Sequence, residues 1–167
     1  MSSDPFSKVY DGLWEMLENH SGFTDKVKIG NRQKFNGSMR SPKSLKAVLT
    51  ADRPVVGLVV IGAVPQLHRA SNLVTIHEQY EFVIITGDRR VTESLYPVSW
   101  EMVKAMTKWK TYLSSLTWNS KTFVHLAHAI GFTESLVDDD THSIRGWVGR
   151  WQYEVQMHFK ETDMQTV

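Results

Sequence analysis

The chain has 167 residues, 41% of them hydrophobic and 22% charged, with 19 Lys and Arg against 18 Asp and Glu for a formal net charge of +1, and no cysteine. A chain of this size buries roughly two-thirds of the surface its unfolded form exposes, which predicts one domain over residues 1–167 without a disulfide or metal staple. The composition excludes thiol nucleophiles, Cys-ligated zinc and iron–sulfur clusters, and it is too evenly charged for a polybasic nucleic-acid binder and too apolar for a disordered tail.

At the N-terminus, Asp4 is placed to cap a helix and Pro5 suits its first position, while Phe6, Val9, Tyr10, Leu13, Met16 and Leu17 recur at helical spacing up to Asn19-His20-Ser21-Gly22. Gly12 costs that helix about 1 kcal/mol relative to Ala, which points to a close contact there. Residues 24–53 are rich in turn formers, with a short strand expected at Lys26 to Ile29 and a short helix at Pro42 to Thr50. Between Lys26 and Arg53 the cations Lys26, Lys28, Arg32, Lys34, Arg40, Lys43, Lys46 and Arg53 meet only Asp52, so the rest of the chain is acidic.

Val55 to Val64, bounded by Pro54 and Pro65, reads as a strand buried on both faces, with Gly57 and Gly62 as sites for bends or bulges. A linker is expected from Pro65 to Asn72. A strand from Leu73 to Thr86 follows, with Ile76, Glu78, Tyr80, Phe82 and Ile84 on one face and His77, Gln79, Glu81, Val83 and Ile85 on the other. Its polar beginning predicts that it projects past the domain. A second helix is expected to be capped by Ser99, with Met102, Ala105, Met106, Trp109, Tyr112, Leu113 and Leu116 along its apolar stripe. Thr122 to Ala127 reads as a short strand. Arg150 to Lys160 alternates Trp151, Tyr153, Val155, Met157 and Phe159 with polar residues, predicting a half-buried strand that closes a sheet. The order implies an α+β fold: a largely antiparallel sheet of about four strands with two main helices packed on one face.

No leader precedes the first helix in this reading, and the longest apolar stretch falls well short of the roughly 20 residues of a membrane helix, so the expected place of synthesis is the cytoplasm. No phosphate-binding glycine loop, nucleophile elbow or zinc-protease motif is present. His125 and His128 with Asp138, Asp139, Asp140 and His142 are conceivable metal ligands, but on a strand the two histidines fall on opposite faces, and an Asp run most often marks a solvated turn. Glu78 and Glu81 also fall on opposite faces and do not pair for acid/base chemistry. The residues therefore give no catalytic, cofactor or metal site. Trp14, Trp100, Trp118 and Trp147 fall off the apolar stripes, where tryptophan either anchors a partner or completes the core. The basic stretch carries one aromatic, Phe35, which is no stacking platform for single strands, and the acidic run at Asp138 to Asp140 is its complement.

Several stretches resemble the tail terminator, or tail completion, proteins of long-tailed bacteriophages: the helix Phe6-Ser7-Lys8-Val9-Tyr10-Asp11-Gly12-Leu13-Trp14, then Val27-Lys28-Ile29-Gly30-Asn31-Arg32, then Phe82-Val83-Ile84-Ile85-Thr86-Gly87-Asp88, a single middle helix, and Gly146-Trp147-Val148-Gly149-Arg150-Trp151. The resemblance implies a non-enzymatic virion protein of the neck. It forms a ring, typically of six copies, between the tail tube protein and the head connector or stopper protein, with DNA passing through the lumen and no membrane contact. It brings no catalytic residues. Arg32, Lys34, Arg40 and Lys43 on one side and Asp138, Asp139 and Asp140 on the other are the expected subunit or partner interface, because a closed ring joins two different patches. A head-completion adaptor of the neck is the alternative, and a small metal- or ligand-binding α+β domain a further one.

Overall fold

The computed structural model describes residues 4–34, 54–87, 90–139 and 144–165. Helix α1 spans Pro5–Glu18; Asp4 caps it by accepting the Ser7 backbone N–H at 2.9 Å, and its buried face holds Val9, Gly12, Leu13, Trp14, Met16 and Leu17. The chain then starts a second short helix, α2 (Ser21–Lys26), and a 3-10 turn at Ile29–Asn31. No strand forms at Lys26 to Ile29. A strand would put Val27 and Ile29 on one face, yet Val27 is fully buried and Ile29 is 80% exposed, because the chain turns between them. The helix expected at Pro42 to Thr50 lies outside the described residues.

The fold is α+β, built on a five-stranded sheet of β1 (Arg32–Lys34), β2 (Val55–His68), β3 (Leu73–Ile85), β6 (Val124–Asp139) and β7 (Ile144–Lys160), in the order β1-β2-β3-β7-β6. The four long strands are antiparallel neighbours; the three-residue β1 adds a parallel edge through Arg32↔Val56, Gln33↔Gly57 and Lys34↔Leu58. A separate two-stranded ribbon joins β4 (Thr117–Trp118) to β5 (Lys121–Thr122) through Asn119 and Ser120, both at positive φ as a mirror-image hairpin turn requires.

Four strands depart from the sequence reading. Only Val55 to Leu58 of β2 are buried; from Val60 on the strand is exposed on both faces. No linker begins at Pro65, since β2 continues through it to His68, as an edge strand permits a residue without an N–H. The bulge between Val60 and Gly62 agrees with the expectation at Gly62. β3 does not project: it is flanked along its length by β2 and β7, and Thr75 and Ile76 are buried. Its face assignment holds, with Ile76, Glu78, Tyr80, Phe82 and Ile84 all buried. β6 runs twelve residues beyond Ala127, to Asp139, because bulges between Val124 and Leu126 and between Ala129 and Gly131 break the alternation that would have revealed it. β7 keeps the predicted alternation and starts earlier, at Ile144.

Helix α3 runs from Val91 to Met106 and encloses Pro97, so Ser99 is a buried mid-helix residue and not a cap. It stops at Met106, and Trp109–Tyr112 form a separate turn, α4; a last turn, α5 (Glu161–Met164), follows β7. Helices α1 and α3 lie on the sheet face of Leu58, Tyr80, Phe82, Tyr153, Val155 and Met157, and these side chains with Leu13, Trp14, Leu17, Leu95 and Met102 make one core. α1 is held against α4 at Gly12, where an added Cβ would lie 2.8 Å from Leu113 Cδ2 and 3.3 Å from the Tyr112 carbonyl oxygen. Gly12→Val is therefore expected to destabilise the fold by about 1–3 kcal/mol through overpacking, read from the urea midpoint; an unchanged midpoint would mean that this contact yields freely.

Candidate interface surfaces

Among the described residues, the expected interface residues do not meet within the chain. Arg32 and Lys34 lie on β1 at one edge of the sheet, and Asp138 and Asp139 end β6 at the other. Four strand spacings separate the two edges, about 19 Å. Arg32 is engaged locally: its Nε donates to the Val27 carbonyl at 2.9 Å, one terminal nitrogen donates to that of Thr24, and the guanidinium sits over the Phe23 ring. It closes the turn before β1. Asp138 is exposed and pairs with Arg145 across the β6–β7 ladder at 3.0 Å. Asp138 and Asp139 are strand residues, which corrects their reading as a turn. Arg40, Lys43 and Asp140 lie outside the described residues.

The four tryptophans divide. Trp14 is 1% exposed and belongs to the core, not to a surface. Trp118 and Trp147 are partly buried against that core, Trp118 edge-on to Phe159. Trp100 is 61% exposed. It borders an open groove of about 670 Å³ between α3 and the β6–β7 ladder, lined by Tyr96, Ser99, Val103, Phe132, Glu134 and Trp151. The groove walls are fixed by two hydrogen bonds: Trp151 Nε1 donates to Ser99 Oγ at 2.7 Å and the Tyr96 hydroxyl to Glu134 Oε1 at 2.9 Å. Phe132 packs on Trp151 with ring centroids 4.6 Å apart.

The sheet face away from the helices carries polar side chains. Glu81 accepts from Arg150 at 2.6 Å, and Glu154 faces His77 at 3.2 Å. Burial pushes the Glu154 carboxyl up, but hydrogen bonds from Gln156, His77 and Gln79 outweigh it and hold the group below its ordinary range. His125 stacks on His158 at 4.2 Å between centroids; burial and the neighbouring His125, His77 and His68 lower the His158 pKa. The bulge at His125 also corrects the two-face expectation, since both His125 and His128 are exposed. Among the described residues no three His, Asp or Glu side chains converge as a metal site would.

Glu78 and Tyr80 share the helix-facing side of β3, both buried, and the tyrosine hydroxyl donates to Glu78 Oε2. Burial raises the Glu78 carboxyl to about 7, against the opposing hydrogen bond from Tyr80, and the Asp4 charge adds to the rise. Glu81 points the other way, as expected from the strand period.

Sequence reasoning missed the outer edges of β2 and β6. On β2, Val60, Ile61, Val64 and Leu67 are exposed, and on β6 Leu126, Ile130 and Leu136 are. One signal was present: from Val59 to Leu67 no residue is charged. Among the described residues, no helix is long and apolar enough to cross a membrane. Comparison of the chain with protein-family models and with curated protein sequences finds no match.

Proposed function

We propose that the chain is the repeating subunit of a closed ring, a tail terminator (tail completion) protein of a long-tailed bacteriophage. It caps the tail tube and joins it to the head connector, and DNA passes through the lumen without sequence-specific contacts. Its work is structural, in the neck of the virion. The observation that carries this reading is that the basic residues Arg32 and Lys34 stand on β1 at one edge of the sheet and the acidic residues Asp138 and Asp139 end β6 at the other, with four strand spacings, about 19 Å, between the edges. Two unlike patches on one subunit are what a head-to-tail interface uses, and a rotation that closes makes it a ring. Native mass over a range of protein concentrations, with negative-stain images, tests the reading. The expected result is a ring of about six times the 19.2 kDa chain mass; a two-fold dimer as the largest species would defeat it.

Charge pairing at the junction gives a second expectation. Reversing Asp138, Asp139 and Asp140 to Lys should weaken assembly about ten-fold at low salt, and reversing Lys34, Arg40 and Lys43 to Glu on the same chain should restore most of it, since such charges set register and encounter rate. Arg32 is left alone because it holds the turn at Val27 and Thr24. Sedimentation velocity at two ionic strengths reads the effect, and assembly indifferent to the acidic reversal would refute the pairing.

A further inference from the structure

We infer that neighbouring copies of this chain join by strand addition: the outer edge of β2 over Gly62–His68 in one copy pairs antiparallel with the outer edge of β6 over Thr133–Asp139 in the next. This deepens the ring reading and rests on it for the closed form of the assembly.

Three features single out these edges. Among the described residues no strand covers the outer side of β2 beyond Leu58, where β1 stops, and none covers β6. Strands that end a sheet are ordinarily blunted by charge, proline, shortness or a covering element, because their free N–H and C=O groups template further pairing. Here Pro65 removes one N–H from the β2 edge and Glu134, Asp138 and Asp139 place charge on β6, and the remaining main-chain groups stay available. The stretch from Val59 to Leu67 has no charge and exposes Val64 to 56% and Leu67 to 51%. Both strands carry bulges, at Ile61 on β2 and at His125 and Ile130 on β6, but Gly62–His68 and Thr133–Asp139 are free of them.

The occupant follows from topology. β3 and β7, two strands, separate β2 from β6, so the outer strands run in opposite directions. A second copy standing beside the first in the same orientation thus offers β6 antiparallel to β2. A level arrangement is blocked, because β1 fills the edge beside Val56–Leu58. Sliding the neighbour until Val137 faces Val64 clears β1 and keeps inner and outer faces matched: Val64 shares a face with His77, and Val137 the face of Thr133 and Arg150. The pairs across the junction are then Val64 with Val137, Pro65 with Leu136 and Gln66 with Ser135. The slide also brings the Asp138–Asp139 end of β6 nearer to the Lys34 end of β1. Main-chain bonding supplies the adhesion and the charges fix the register.

The absence of native cysteine makes the test direct. Val64→Cys and Val137→Cys on one chain cannot link to each other, since three strand spacings, about 14 Å, exceed disulfide reach. Mild oxidation of the assembled protein should therefore give a ladder of covalent multimers on a non-reducing gel, and either single variant none. Closed rings that form without this ladder would overturn strand addition and leave the ring reading standing. Ladders from open filaments would support strand addition and defeat the ring. A monomer at every concentration, with no link, would defeat both. A link only between Val64→Cys and Leu126→Cys would overturn the register and with it the inference, as would Val64→Cys coupling to itself in a two-fold pair. An intrachain link between Ser38→Cys and Val64→Cys in the monomer would place the chain's own residues on this edge and also overturn it.

Discussion

Trp14→Ala is expected to cost about 3–5 kcal/mol of folding stability, the range for emptying a buried indole site. The ring lies on α1 at 1% exposure, within the core that α1 and α3 make on the sheet. Among the described residues its Nε1–H has no hydrogen-bond partner, and a buried donor left unpaired costs about 1–3 kcal/mol. Trp14→Phe removes that donor while keeping most of the apolar bulk, so the two terms oppose each other. The phenylalanine variant should stay within about 1 kcal/mol of the parent. Urea midpoints at unchanged slope compare the three proteins. Equal losses for Ala and Phe would show that the indole N–H is satisfied and that the whole ring volume is needed.

Trp14 also shows where a one-dimensional stripe misleads. Its neighbours Leu13 and Leu17 mark the core face, and Trp14 stands 100° from Leu13 on the helical wheel, so the pattern leaves it at the margin. The structure buries it because the core extends over that margin as well. Periodicity served best where a strand has a neighbour on each side: β3 from Ile76 to Phe82 and β7 from Gln152 to Lys160 alternate cleanly, since there one face meets the helices and the other carries polar side chains. It failed at the edges. The bulges of β6 shift the alternation twice, and β2 beyond Leu58 has no inside, so its apolar run was read as doubly buried when it is doubly exposed. Pro97 misled in another way, placing a helix start at Ser99 although the ring sits within the first two turns of α3, where the loss of one backbone bond is tolerated by the packing of Leu95, Val98 and Met102.

Of the candidate interface, the charges were legible and their relation was not. Opposite signs at Lys34 and Asp138 are visible in the sequence, whereas their position on opposite edges depends on the strand order β1-β2-β3-β7-β6, which pairs segments more than 60 residues apart. The groove at Trp100 was half visible: Trp100 stood out as a tryptophan off the stripe, but Phe132 and Trp151 join it only through the β6–β7 register, Phe132↔Trp151.

The buried Glu78 makes stability depend on pH in a direction opposite to most carboxylates. Its pKa rises from 4.5 to about 7 on folding, chiefly because burial disfavours the charged form. A group with a raised folded pKa lends stability that is complete below its unfolded value and is lost as pH climbs through the folded one. The loss therefore falls between pH 4.5 and 7, and a shift of that size corresponds to about 3 kcal/mol. Glu78→Gln keeps an acceptor for the Tyr80 hydroxyl and carries no charge at any pH. The variant should match the parent near pH 4 and exceed it by up to about 3 kcal/mol at pH 8, with the difference developing across that window in urea titrations. Comparing the two proteins cancels the contributions of every other group they share. Tyr80→Phe removes the one hydrogen bond that favours the carboxylate, so it should move the parent's transition to higher pH. A parent and a Glu78→Gln variant that keep a constant stability difference from pH 4 to 8 would show that Glu78 enters the fold already ionised, with its charge solvated from the side of α1.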